Sequence, residues 1–173
     1  MRKFIAQIAG GLFLSIALSA NFASAEEAEE NWKGASDPAQ FHLGALTGLG
    51  ILDSSAGFEV LGTLSRKIVP QGFVPDISNS VSIEIQAGPI FIHSTTAFSY
   101  SAHLRWDFRK DAAWTFYSVA GLGGSITGES LDNRFLLFPR FGAGVIRTFN
   151  ENAPSIRFEV SHERLSLGAI WGF

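Results

Sequence analysis

Apolar and polar residues alternate along most of this chain with a period of two, the period of a strand that shows each of its faces to a different environment. From Gln40 onward eight such stretches can be read. In the first, Phe41, Leu43, Ala45, Thr47, Leu49 and Ile51 share one face, with His42, Gly44, Gly48 and Gly50 on the other. A turn-type composition from Asp53 to Gly57 leads to the second, in which Phe58, Val60, Gly62 and Leu64 oppose Glu59, Thr63 and Ser65. The connection from Arg66 to Asn79 carries Pro70, Gly72 and Pro75 and is expected to be the longest. The third stretch sets Val81, Ile83, Ile85, Ala87, Pro89 and Phe91 against Ser82, Glu84, Gln86 and Gly88. Pro89 has no N–H for a strand ladder, so it is expected near the strand's end or at a bulge.

The rest of the chain repeats the pattern. Phe98, Tyr100, Ala102, Leu104, Trp106 and Phe108 oppose Ser99, Ser101, His103, Arg105 and Asp107 in the fourth stretch. The fifth, from about Ala113 to Ile126, sets Trp114, Phe116, Ala120 and Leu122 against Thr115, Tyr117, Gly121 and Gly123. In the sixth, Phe135, Leu137, Pro139, Phe141, Ala143, Val145 and Phe149 oppose Arg134, Arg140, Gly142 and Gly144; in the seventh, Ile156, Phe158 and Val160 oppose Arg157, Glu159 and Ser161. The last, Arg164 to Phe173, puts Leu165, Leu167, Ala169, Trp171 and Phe173 on a face without charge. A two-residue turn at His162 and Glu163 would make Ser161 and Arg164 an inward-facing pair, the parity that both flanking strands require. Up-and-down order would also gather Trp106, Phe108, Trp114, Phe149 and Trp171 at the rim that holds Phe173.

A final Phe preceded by alternating apolar and aromatic residues resembles the closing strand of bacterial outer-membrane β-barrels. The fold expected from this resemblance is all-β, an eight-stranded antiparallel up-and-down transmembrane β-barrel over residues 40–173, similar to the small barrels of the outer-membrane protein A and X type. Each stretch is long enough for the ~9–11 residues of a tilted membrane strand. The resemblance implies outer-membrane lipid and lipopolysaccharide as surroundings. It also implies recognition by the barrel-assembly machinery, which would read Leu165, Leu167, Ala169, Trp171 and Phe173 as an insertion signal. The role implied is structural or a surface contact of the envelope, without catalysis.

The first residues fit export. Arg2 and Lys3 precede an apolar run from Ile8 to Leu18, and Ala23-Ser24-Ala25 supplies the small residues of a signal-peptidase site, so residues 1–25 read as a cleaved signal peptide. Residues 26–39 begin with Glu26-Glu27-Ala28-Glu29-Glu30 and read as a solvated acidic lead-in to the barrel. After cleavage eleven Lys and Arg face sixteen Asp and Glu, a net charge of −5 that disfavours a nucleic-acid partner. There is no cysteine, which removes disulfides, thiol catalysis and cysteine-ligated zinc.

Chemistry, if any, lies on the inward face. An eight-stranded barrel is just wide enough for side chains to fill. The inward charges should therefore pack as an interior polar network of Glu84, His103, Arg105, Arg140, Arg157 and Glu159, because an unpaired buried charge is costly. Glu84 can reach His103 or Arg105, and Glu159 can reach Arg140 or Arg157, across neighbouring strands. No cofactor or metal is expected: His42, His93, His103 and His162 have no paired spacing. Two alternatives stay open. One is an outer-membrane hydrolase: Ser161, His162 and Glu163 hold the residue types of a hydrolytic triad, and the stretch from Ile156 to Gly168 faintly resembles the strand of lipid A deacylases, although the His-x-Ser pair of those enzymes is absent. The other is a soluble lipocalin-like barrel around an apolar ligand, with the faces reversed.

Overall fold

A computed structural model describes residues 39–52, 55–74, 76–93, 95–127, 135–150 and 153–173. The expected signal peptide and all of the acidic lead-in but Ala39 lie outside the described residues, as does Arg134. The alternating stretches form β1 (Phe41–Leu52), β2 (Ser55–Val69), β3 (Asn79–Ile92), β4 (Thr95–Arg109), β5 (Trp114–Thr127), β6 (Phe135–Arg147), β7 (Ser155–Ser161) and β8 (Arg164–Gly172). Each is antiparallel to the next, and β8 pairs with β1, so the protein is a closed up-and-down barrel in sequence order. Closure gives the first and last strands the partners that an open sheet would leave to solvent or to another chain. The seam runs from His42 opposite Gly172 to Gly50 opposite Arg164. At its end the N–H groups of Gln40 and Phe41 donate to the Phe173 carbonyl at 3.0 and 2.9 Å, and the Phe173 N–H donates to the Phe41 carbonyl at 2.9 Å.

The barrel has two unlike rims. The hairpin rim carries the connections 53–54, 93–94, 128–134 and 162–163, whereas the chain-end rim carries both ends of the sheet and the connections 70–78, 110–113 and 148–154. Trp106, Phe108, Trp114, Trp171 and Phe173 lie at the chain-end rim, and Phe149 sits in the adjoining 148–154 turn because β6 stops at Arg147. Trp106 packs on Phe108 at 5.0 Å between ring centroids, and Phe41 stacks on Phe173 at 6.1 Å.

Several strand boundaries differ from the sequence expectation. β2 continues to Val69 with Lys67 turned into the lumen, which shortens the long connection to residues 70–78. Asn79 organises that connection. Its Oδ1 accepts from the Phe73 N–H at 3.0 Å and Trp106 Nε1 at 2.9 Å, and its Nδ2 donates to the carbonyls of Val74 and Ile77 at 2.8 and 2.7 Å. Gly72 is at φ +53°, and a Cβ there would fall 1.6 Å from Asn79 Oδ1, so only glycine fits. β7 is the second difference: it has seven residues, fewer than the nine or more expected, because Pro154 precedes it and a two-residue turn ends it. It pairs with β6 only from Gly142 to Arg147. Third, strand pairing begins at Ser55, inside the segment whose composition suggested a turn, and β4 begins at Thr95, before the first residue read in its alternation.

Pro89 keeps its place opposite Phe98 of β4, while the β2–β3 ladder lacks the pairs opposite Gly88 and Pro89, where proline offers no donor. The bulge in this sheet lies elsewhere, between Lys67 and Val69.

Side-chain parity then assigns the two faces. Apolar residues cover the outer wall and are about half exposed, among them Leu43, Leu122 and, at 61%, Phe141. Polar and charged residues fill the lumen, where Arg140, Arg157 and Glu159 are fully buried. Among the described residues, Arg66 and Arg147 are the only charged side chains at outward strand positions, and both lie near the chain-end rim.

Candidate functional site: the charged lumen

The strands deliver the lumen's side chains by parity alone. Every second residue of β2 to β8 points inward, and inward glycines make room for the largest of them. Gly144 is opposite Tyr117, and a Cβ on it would lie 2.2 Å from the Tyr117 hydroxyl and 2.3 Å from the Phe158 carbonyl oxygen. The aromatic ring therefore occupies the volume that the glycine leaves.

Two carboxylates anchor the network. Glu84 on β3 accepts from Arg105 Nη1 at 2.7 Å, from Arg157 Nη1 and Nη2 at 2.9 and 2.7 Å, from Gln86 Nε2 at 2.8 Å, and lies 3.1 Å from His103 Nε2. Glu159 on β7 accepts from Arg140 and Arg157 and from the Tyr117 hydroxyl at 3.1 Å. Arg157 joins the two centres and also donates from Nε to the Tyr117 oxygen at 2.8 Å. The rigid guanidinium fork suits such multiple contacts, because its donors lie in one plane and meet a carboxylate in pairs.

The network extends toward both rims. Near the chain-end rim Arg105 makes a two-pronged contact with Asp107, at 2.8 and 2.9 Å. Toward the hairpin rim Gln86 Oε1 accepts from Arg140 at 3.0 Å and from Arg164 at 3.1 Å, Arg140 reaches Glu163 Oε1 at 2.5 Å, and Arg164 donates to Ser99 Oγ at 3.1 Å. Arg164 Nε also lies 3.5 Å from Glu59.

All six residues singled out from the sequence, Glu84, His103, Arg105, Arg140, Arg157 and Glu159, are brought together in this network. Sequence reasoning left out Tyr117, Asp107, Glu163 and the Arg164–Glu59 contact. Parity placed Tyr117, Asp107, Glu59 and Arg164 inward without showing what they touch. Glu163 gives no such signal, because a turn residue escapes strand parity. Of the five residues named in the last strand, Leu165, Leu167, Trp171 and Phe173 are exposed on the outer wall and Ala169 is half-buried there.

Charge balances within the lumen. The buried acids are Glu59, Glu84, Asp107, Glu159 and Glu163, and the buried bases are Lys67, Arg105, Arg140, Arg157 and Arg164, five of each among the described residues. A buried charge left alone costs several kcal/mol even after relaxation. Pairing them in equal number allows a narrow interior to hold ten charged side chains.

Open space is unequal at the two ends. At the chain-end rim a cup of about 340 Å³ reaches down to Arg105 and Asp107, between His42, Ser80, Thr115 and Ile170. At the hairpin rim the described residues leave about 10 Å³ beside Glu59, Ser99 and Glu163, roughly the room for one water. Leu52, Ile90 and Ala97, with Ile92 and Leu136 against them, make an apolar seal there.

The residues that suggested a hydrolase are not linked as such enzymes require. Ser161 Oγ accepts from the Arg164 backbone N–H at 3.2 Å, while His162 Nδ1 lies 2.9 Å from Glu163 and its ring packs edge-on against Phe138. Serine and histidine thus share no hydrogen bond, the contact by which a base activates a nucleophile. No protein-family model matches the chain, and no curated protein is similar to it in sequence.

Proposed function

We propose that this protein is an integral outer-membrane β-barrel with a structural or surface-contact role in the envelope and no catalytic activity. One observation carries the reading: the polarity of the barrel is inverted relative to a water-soluble one. Its outer wall is apolar around the ring, with side chains such as Leu43, Ile85, Leu104, Leu122, Phe141 and Leu167 each about half exposed. Its interior holds the charges. An apolar exterior of this kind exceeds the patches that soluble monomers expose, and a hydrocarbon surround is the medium that favours it. Trp106, Trp114 and Trp171 at one rim suit the boundary between hydrocarbon and headgroups.

The same polarity weakens the alternative of a soluble barrel enclosing an apolar ligand, because the volume such a ligand would need is taken by the Glu84 and Glu159 networks. In this proposal the closing strand has a second part, with Leu165, Leu167, Ala169, Trp171 and Phe173 presented to the assembly machinery as the insertion signal. Export by cleavage after Ala25 belongs to the same reading.

Fractionation of cells expressing the protein tests it. The expected result is recovery with the outer membrane, release only by detergent, and faster migration of the unheated than of the boiled protein. Release with the periplasmic contents would overturn the proposal. In the same experiment, removal of Phe173 should sharply lower the membrane-assembled fraction, and unchanged assembly would overturn the insertion-signal part alone.

A further inference from the structure

The only two charges at outward strand positions among the described residues have a common setting. Arg147, the last residue of β6, faces Trp114 across the strand pair, with its guanidinium carbon 4.4 Å from the Trp114 ring centroid and 5.6 Å from that of Phe149. Arg66 on β2 faces Phe41 in the same way at 5.7 Å. The two sites lie on strands four apart in a ring of eight, on opposite sides of the barrel. Both are at the chain-end rim, and neither guanidinium has a carboxylate partner among the described residues. The hairpin rim offers no outward Arg or Lys among the described residues, since Arg140 and Arg164 are buried in the lumen.

A guanidinium lying on an aromatic ring has a covered face and a free edge. The free edge is a planar fork of N–H donors whose spacing matches two oxygens of a phosphate. Next to each fork the wall is apolar and exposed, with Phe116 and Ile156 by Arg147, and Leu43, Leu64 and Ile83 by Arg66. A ligand that suits both parts has an anionic phosphate joined to hydrocarbon chains.

We infer that Arg147 with Trp114 and Phe149, and Arg66 with Phe41, are two clamps for the phosphate of an anionic phospholipid in the leaflet at the chain-end rim. The inference rests on the membrane reading above. Free phosphate carries the same oxygens but has nothing to lay against the apolar wall, so the two sources of the anion are separable.

The test uses the protein folded into phosphatidylcholine vesicles that contain, at equal mole fraction, either phosphatidylglycerol or phosphatidylcholine brominated on the acyl chains. Bromine quenches tryptophan at short range, and Trp114 belongs to one clamp. Stronger quenching by the brominated anionic lipid is expected, corresponding to about fivefold enrichment at the protein surface. The double variant Arg66→Gln with Arg147→Gln should lose the enrichment, and added inorganic phosphate should leave it unchanged. Heat-modifiable migration checks that the variant is folded; if it is not, the single variant Arg147→Gln should by itself remove the excess quenching of Trp114. Equal quenching by the two lipids in folded, inserted protein overturns the clamps and leaves the membrane reading intact. Displacement by inorganic phosphate overturns the lipid assignment. A protein that does not enter vesicles at all overturns the membrane reading, and the clamps with it.

Discussion

The lumen and the outer wall of this barrel are built by the same strands in strict alternation, yet they obey opposite rules. In the lumen the central carboxylates and guanidiniums are tied to specific partners at specific distances, as Glu84 is tied to Arg105, Arg157, Gln86 and His103. On the wall, Leu43, Leu122 and Phe141 are about half exposed, and in the membrane reading proposed above they need only an apolar surround. One face is specified by geometry and the other by solvent. The lumen should therefore be sensitive to the loss of a single atom group, and the wall only to a change of polarity.

The largest effect should come from unbalancing the lumen. Glu84→Ala strands Arg105 and Arg157 without their shared carboxylate and should cost about 3–5 kcal/mol in a reversible urea titration of the barrel in lipid. A loss under about 1 kcal/mol would mean that the network is not a buried, tightly paired one. Next comes the wall. Phe141→Arg puts a cation at the middle of β6, where the cost should be about 2–4 kcal/mol if the surround is hydrocarbon. The same variant should be nearly neutral if the wall meets water, so this single measurement tests the polarity of the whole exterior. The smallest effect is steric. Gly144→Ala adds one methyl group against the Tyr117 hydroxyl and a backbone oxygen, and should cost about 1–3 kcal/mol without altering charge. If Gly144→Ala proved harmless, Tyr117 would have room to move and the lumen would be looser than its contacts imply.

What the sequence made legible follows from this contrast. Face assignment needs only a period of two, so the inward and outward residues of β1, β3 and β4 could be read directly from the chain. Strand ends were harder, because composition does not reveal pairing. Ser55 sits in a turn-like segment and is nevertheless claimed by β2, and β2 runs on past Lys67, whose side chain is buried in the lumen. The short β7 is bounded by Pro154 on one side and by the turn at His162 and Glu163 on the other. Within the network, parity places Glu59, Asp107 and Arg164 inward but is silent on partners, which depend on the stagger between strands. Glu163 could not be found in this way, since it enters the lumen from a turn. Asn79 reads in the sequence as the end of the connection, whereas it starts β3 and its side chain ties Phe73, Val74, Ile77 and Trp106 together.

The seam between β1 and β8 has one more consequence. Gln40 and Phe41 are hydrogen-bonded to Phe173, so the two ends of the sheet sit side by side and the ring of strands is cyclic in space although the chain is linear. The position of the opening is thus a property of the gene and not of the barrel's energetics. A short peptide bridge from Phe173 to Gln40, with new ends cut at the 93–94 hairpin, would preserve every strand pair while moving the chain terminus to the opposite rim. Such a circular permutant tests whether closure of the ring, apart from the order of its strands along the chain, sustains the fold.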